Sequence, residues 1–155
     1  MPRSARNTRN LSALLVLATR AVNRDVQRRL AAAGYDDLRP TQEYTLQRLA
    51  TSGGATGVEL AGHLGTSKQA VGQLVDYLEQ RGYVIRTPAE RDGRARVIQL
   101  TDRGWACVRA ASAVWQAVER DAQRLVGAAA LDTAREALER LASEPLAPPG
   151  SSSTN

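Results

Sequence analysis

The sequence predicts a mainly helical chain with one β-hairpin set into it, and three observations predict this. Residues 56 to 101 read as two short helices joined at Gly65, then two β-rich runs, Tyr83 to Thr87 and Ala95 to Leu100. Aromatic residues make up only 4% of the chain and Phe is absent. Ala and Leu must therefore fill most interior positions, which favours close-packed helices over a β-sandwich. Long Ala-rich stretches on both sides repeat apolar residues at helical spacing. A helix–turn–helix followed by a basic hairpin is the plan of a winged helix-turn-helix with a two-stranded β-wing. Such a plan joins an element that fits a DNA major groove to one that can reach the minor groove.

Residues 1–9 read as a basic arm carrying Arg3, Arg6 and Arg9. Followed by Leu11, Leu14, Leu15, Val16 and Leu17, this arm has the charged and apolar parts of a signal peptide. The stripe Leu11, Leu15, Ala18, Val22, Val26 and Leu30, however, keeps helical spacing past any cleavage site. That argues for a long helix from about Asn10 to Ala33, stopped by Gly34. Leu14, Val16 and Leu17 widen its apolar surface, so two surfaces are needed to cover it.

A second helix opens at Pro40 and Thr41, with Thr41 as N-cap and Tyr44, Leu46 and Leu49 as its apolar contacts. Ser52, Gly53 and Gly54 end it. Thr56-Gly57-Val58-Glu59 is a capping box that starts the next helix with Val58, Leu60, Ala61 and Leu64. Gly65 and Thr66 supply a turn, and Ser67 caps a helix that runs to about Arg81 and stops at Gly82. Its apolar stripe is Val71, Leu74, Val75 and Leu78. After the hairpin, Thr101 caps a long helix to about Val126, whose apolar face holds Cys107, Val108, Ala111, Val114, Trp115 and Val118. Gly127 interrupts, and a last helix spans about Asp132 to Ala142 with Leu138 and Leu141 facing inward. The Pro- and Ser-rich end reads as an unpacked tail.

The organisation expected is an arm over 1–9, dimerisation helices over 10–35 and 102–143, a DNA-binding lobe over 40–101 and a tail over 144–155. The flanking helices are amphipathic and are not needed for a winged helix. Their simplest use is association with a second copy, since twofold-symmetric sites suit such binders. An intramolecular bundle is the alternative.

Charge and rare residues bound the chemistry. The formal charge is +5 and Lys68 is the only lysine, so Arg carries nearly all the positive charge. That balance suits a polyanionic partner or simply reflects Arg-rich codon usage. One cysteine, Cys107, excludes an internal disulfide, and a single histidine, His63, argues against a His-based metal site. Both fit a reducing cytoplasm, and no apolar run is long enough to span a bilayer. No nucleophile, base or metal constellation holds together, so neither enzyme activity nor a cofactor is expected. Asp36, Asp37 and Glu43 read as helix-end and surface charges. Cys107 sits in an apolar stretch and reads as buried and inert rather than as an oxidant sensor.

The residues placed to meet DNA lie on the helix after Ser67 and on the hairpin. Opposite the apolar stripe stand Lys68, Gln69, Gly72, Gln73 and Asp76. Ser67 and Lys68 occupy a first turn that favours phosphate. Gln69 and Gln73, one turn apart, have the donor and acceptor needed to pair with adenine N6 and N7. Gly72 costs about 1 kcal/mol of helix propensity relative to Ala, and lacking a side chain it lets the helix approach DNA closely. On the hairpin, Arg91, Arg94 and Arg96 flank an Asp92-Gly93 pair suited to a tight turn. Arginine at a loop tip is drawn into a narrow A·T-rich minor groove, whereas Asp92 repels phosphate and reads as structural. A winged-helix module used for protein contacts, without sequence-specific DNA binding, is the alternative.

These residues resemble the MarR family of winged-helix regulators over roughly residues 10 to 143. The resemblance is carried by Glu59-Leu60-Ala61, Leu64-Gly65, the run Ser67 to Val75, Leu78-Glu79 and Gly82-Tyr83-Val84. Asp92-Gly93-Arg94, with Leu100-Thr101 and Gly104 at their spacing, is its most specific part. It implies an obligate dimer, a palindromic operator, and release of DNA when a small aromatic or acidic ligand binds. Arg94 would then be the minor-groove arginine and Asp92 its wing partner. The family's ligand pocket lies between the dimer helices and the DNA-binding lobe, and Tyr35, Tyr44, Trp105 and Trp115 are the candidates to line it.

Overall fold

The computed structural model describes residues 10–89 and 96–143. Its elements, in chain order, are α1 (Leu11–Ala32), α2 (Pro40–Ser52), β1 (Ala55–Thr56), α3 (Gly57–Leu64), α4 (Lys68–Gln80), β2 (Val84–Pro88), β3 (Arg96–Leu100), α5 (Asp102–Val126) and α6 (Ala128–Ser143). The chain forms two compact units, one through Gln116 and one from Ala117.

In the first unit, α3 and α4 form the helix–turn–helix. The Thr56 hydroxyl accepts the Glu59 N–H at 3.3 Å, and the Glu59 carboxylate accepts the Thr56 N–H at 2.7 Å. This reciprocal cap satisfies two of the backbone donors that open α3. Gly65 closes α3 in the left-handed region at φ 60, which a residue with a Cβ rarely adopts. The chain can therefore reverse at once into Ser67, whose hydroxyl accepts the Ala70 N–H and starts α4.

The sheet has three antiparallel strands with β3 in the middle. β2 pairs with β3 from Val84↔Leu100 to Pro88↔Arg96, the hairpin that the sequence predicts. β1 adds Ala55↔Ile98 and Thr56↔Val97 on the other edge. Two residues are too few to show a strand's alternation, so this third strand left no trace in the pattern.

Leu38, Leu46, Leu49, Leu60, Val71, Val75, Leu78, Tyr83, Val84, Ile98 and Cys107 make one buried core beneath the helix–turn–helix and sheet. Burying each aliphatic side chain contributes about 2 kcal/mol, so Val71, Val75 and Leu78 alone fix which face of α4 turns inward. From α1 only Val26 and Leu30 are buried, whereas Leu11, Leu14, Leu15, Val16, Leu17 and Val22 remain exposed.

Several expectations are corrected. The N-cap of α2 lies two residues earlier: Arg39 takes it, its N–H donating to Gln42 Oε1 at 2.7 Å, and Pro40 takes the first helical position. Proline has its φ preset and no N–H to lose there, which displaces Thr41 as cap. Tyr44, expected as a core contact, is 54% exposed. In the second unit, α6 starts at Ala128 rather than Asp132, and Leu138 and Leu141 are exposed rather than inward. No helix among the described residues is long and apolar enough to cross a membrane.

Candidate nucleic-acid interface

Because Val71, Val75 and Leu78 face the core, the opposite side of α4 must face out. Lys68, Gln69, Gln73 and Asp76 are all exposed there, and Ser67 is exposed at its start. The first turn carries no acidic residue, so its backbone N–H groups and Lys68 present positive potential together. At Gly72 a Cβ would meet nothing within 4 Å. Internal packing therefore does not require this glycine, which is consistent with a demand from outside the chain.

Beside α4 the sheet completes a groove of about 360 Å³. Val58, Val71, Val75 and Ile98 form its apolar wall, and Lys68, Arg86 and Arg96 supply its cations. Two of these, Lys68 and Arg96, were expected at the interface from the sequence; Arg86 was not singled out, being one residue of a strand. It reaches from β2 to α4, bonding Asp76 at 2.6 Å and forming a second ion pair with Glu79, while its own N–H donates to Glu79 Oε1 at 3.2 Å. Partial burial opposes the charge on the guanidinium, but the hydrogen bonds it donates to Asp76 and Glu79 outweigh this and hold its pKa above the usual arginine value. The clamp ties β2 to α4. It also neutralises Asp76, which would otherwise repel a phosphate approaching Lys68 and Gln73. Only a residue's position across the fold discloses such a role.

Arg91, Asp92, Gly93 and Arg94 belong to the connection from β2 to β3 and lie outside the described residues, as do the arm over 1–9 and the tail over 144–155.

The four aromatic residues named for a ligand pocket have different settings. Tyr35 is half-buried, its ring 6.3 Å from that of Tyr83. Tyr44 and Trp105 are exposed. Trp115 is partly exposed, but its Nε1–H donates to Glu43 Oε1 at 3.3 Å. None of them lines the groove beside α4.

Glu43 and Asp37 are not the surface charges that the sequence suggested. Glu43 is only 6% exposed and also accepts from Gln47 Nε2 at 3.2 Å. Its carboxylate can be buried because two side-chain donors reach it. Asp37 accepts from the Tyr83 hydroxyl at 2.7 Å and sits near Arg81 and Arg103. Local spacing could not reveal either environment, since Trp115 and Tyr83 are far away in sequence.

Cys107 is buried, as expected. Burial, with Glu43 and Asp37 adding negative potential, pushes its thiol up from 9.0 to about 12. Burial and its bond to Asp37 likewise push the Tyr83 phenol up from 10.0 to about 12. Both groups keep their proton longer in the folded chain than in the unfolded one. Their contribution to stability is therefore whole below the unfolded values and is lost as pH rises toward about 12. Denaturant midpoints should fall progressively above pH 9.0. Cys107→Ala should flatten the early part of that decline and Tyr83→Phe the part above pH 10.0. A midpoint that stays level through this range would contradict the assigned burial. Among the described residues no group of three or more His, Cys, Asp or Glu is placed to hold a metal ion.

A family model described as MarR family matches residues 36–95, the span from Asp36 to the wing connection. No curated protein matches the chain. Among solved structures, the transcriptional repressor CouR bound to a 23-mer DNA duplex is similar at 26% identity and TM-score 0.77, over 92% of this chain and 99% of that one. The reduced form of MarR from E. coli is similar at 21% identity and TM-score 0.75, over 87% and 98%. A cysteine-to-serine mutant of E. coli MarR complexed with operator DNA is similar at 22% identity and TM-score 0.73, over 84% and 92%. The family model covers the helix–turn–helix together with β2, and the shared fold extends through the long flanking helices. Residues 36–95 thus match the MarR family, and the chain as a whole is similar in fold to solved winged-helix proteins of that family.

Proposed function

We propose that the chain is a dimeric, sequence-specific DNA-binding transcriptional regulator, a repressor released from a palindromic operator by a small ligand. The observation that carries this reading is the outward face of α4. Lys68, Gln69 and Gln73 are exposed on a helix whose two acids, Asp76 and Glu79, are both held by Arg86. Ser67, Lys68, Arg91, Arg94 and Arg96 would hold phosphates or the minor groove, Gln69 and Gln73 would read bases, and Asp92 and Gly93 would shape the wing. CouR and E. coli MarR, which share the fold, have been solved on DNA. The exposed leucines of α1 support a dimer, because so large an apolar surface is rarely left open to water. Helices 10–35 and 102–143 would supply that interface and 40–101 the DNA-binding lobe. A small aromatic or acidic effector would meet Tyr35, Tyr44, Trp105 or Trp115. Such a regulator works in the cytoplasm and needs no enzyme activity.

Selection of bound duplexes from a random library tests the reading. A palindrome with half-sites about one helical turn apart is expected. Enrichment of no sequence by folded protein would overturn it in favour of a protein-contact module. On the selected duplex, Lys68→Ala should weaken binding to all sequences and reduce the salt slope by about 1. Gln73→Ala should instead relax preference at one base pair. Arg94→Ala should weaken binding sharply, and unchanged affinity would remove the wing arginine from the interface.

A further inference from the structure

We propose that Asp37, in the connection between α1 and α2, is a positioning residue that sets the C-terminal end of α4 against the first turn of α5 and so aligns the DNA-reading face. The proposal rests on the reading of α4 as the recognition helix.

Asp37 joins three segments that have no covalent reason to meet. Its backbone carbonyl accepts the hydroxyl of Tyr77, from the last turn of α4. Its carboxylate accepts the hydroxyl of Tyr83, the residue before β2, at 2.7 Å. The other carboxylate oxygen lies 3.5 Å from Arg81 Nε and 3.8 Å from Arg103 Nη2. Arg81 is the C-cap of α4, and Arg103 stands in the first turn of α5. The two arginines close the arrangement through the rings: Arg81 lies 3.6 Å over Tyr77, and Arg103 lies 4.6 Å over Tyr83. Arg103 also donates to the Tyr83 hydroxyl at 3.1 Å, so that phenol gives one hydrogen bond and receives another.

The ion pairs alone are half-exposed and contribute little to stability. The phenol bonds are directional, and the Tyr83 side chain that carries two of them is held in the core, so they fix geometry. The inward stripe of α4 sets which side of the helix faces the core, but apolar contacts are not directional and leave its axis free to pivot. Two polar clamps remove that freedom. Both grip the C-terminal half of α4: Arg86 holds it toward β2 through Asp76 and Glu79, and Asp37 holds it toward α5 through Tyr77 and Arg81. Loss of either clamp lets the reading face turn about the other.

The test compares wild type, Asp37→Asn and Asp37→Ala on two labelled duplexes of equal length, one carrying the selected palindrome and one of generic sequence. Both substitutions make the protein more positive, which by charge alone would strengthen DNA binding. Asp37→Ala is nevertheless expected to weaken binding to the selected duplex by about tenfold and leave generic binding unchanged. Asp37→Asn keeps an acceptor for Tyr83 and should lose less. A merely structural role would lower the melting temperature and the active fraction while leaving the selected-to-generic ratio of the folded protein as in wild type. An unchanged ratio for Asp37→Ala, at a temperature where it is folded, overturns the proposal. Wild type that binds neither duplex overturns the DNA reading itself, and this proposal with it.

Discussion

Gly104→Ala should destabilise the chain by about 3 kcal/mol, the largest effect expected of any single methyl group. A Cβ at this position would stand 2.2 Å from the Tyr83 carbonyl oxygen and 3.0 Å from Leu100 Cδ2. The leucine can rotate away, but the carbonyl belongs to backbone and accepts the Thr101 N–H at 3.1 Å. Ala would improve helix propensity by about 1 kcal/mol, which is too little to offset the clash. The Thr101 hydroxyl also accepts the Gly104 N–H at 3.1 Å, so the start of α5 cannot shift without losing its cap. Equilibrium denaturation would measure the loss, and a variant as stable as wild type would mean that α5 does not approach Tyr83 this closely. Because Arg103 is the neighbouring residue, a surviving variant should also lose DNA selectivity in the direction expected for Asp37→Ala.

The double substitution Leu11→Glu with Leu15→Glu should convert the proposed dimer to monomer and lower affinity for a palindromic duplex by about 100-fold. Both leucines are exposed and lie one turn apart on α1. Glu has nearly the helix propensity of Leu, and an exposed change of this kind leaves the fold within about 0.5 kcal/mol. The loss should therefore appear in association and not in folding. Each half-site would then be met by a separate molecule, without the high effective concentration that a linked second lobe provides. Sedimentation and DNA titration read the two effects separately. A variant that stays dimeric would move the interface away from this part of α1, and monomeric wild type would remove the dimer from the proposed function.

Sedimentation matters here because α1 carries contradictory signals within one helix. Val26 and Leu30 are buried, while the leucines before them are not. Both groups share one helical period, so the sequence could state that the stripe needed a cover. It could not state that the fold covers only the last part of it.

What the sequence determined by itself is everything that depends on near neighbours. Thr56 with Glu59, Ser67 with Ala70 and Gly65 in its left-handed turn act over three or four residues, so spacing alone placed α3, the turn and α4. The stripe of Val71, Val75 and Leu78 then fixed which face carries Lys68, Gln69 and Gln73. The hairpin followed from two β-rich runs that each reach the length of a strand. Tertiary structure alone decided the polar contacts between distant segments: Asp37 with Tyr83, Glu43 with Trp115 and the addition of β1 to β3. Such contacts have no period, because a hydrogen bond depends on where two backbones arrive and not on the residues beside it. An acid read in isolation defaults to the surface, where its charge is cheapest to solvate. Asp37 and Glu43 depart from that default because the core brings Tyr83 and Trp115 to meet them, and only packing could bring them there.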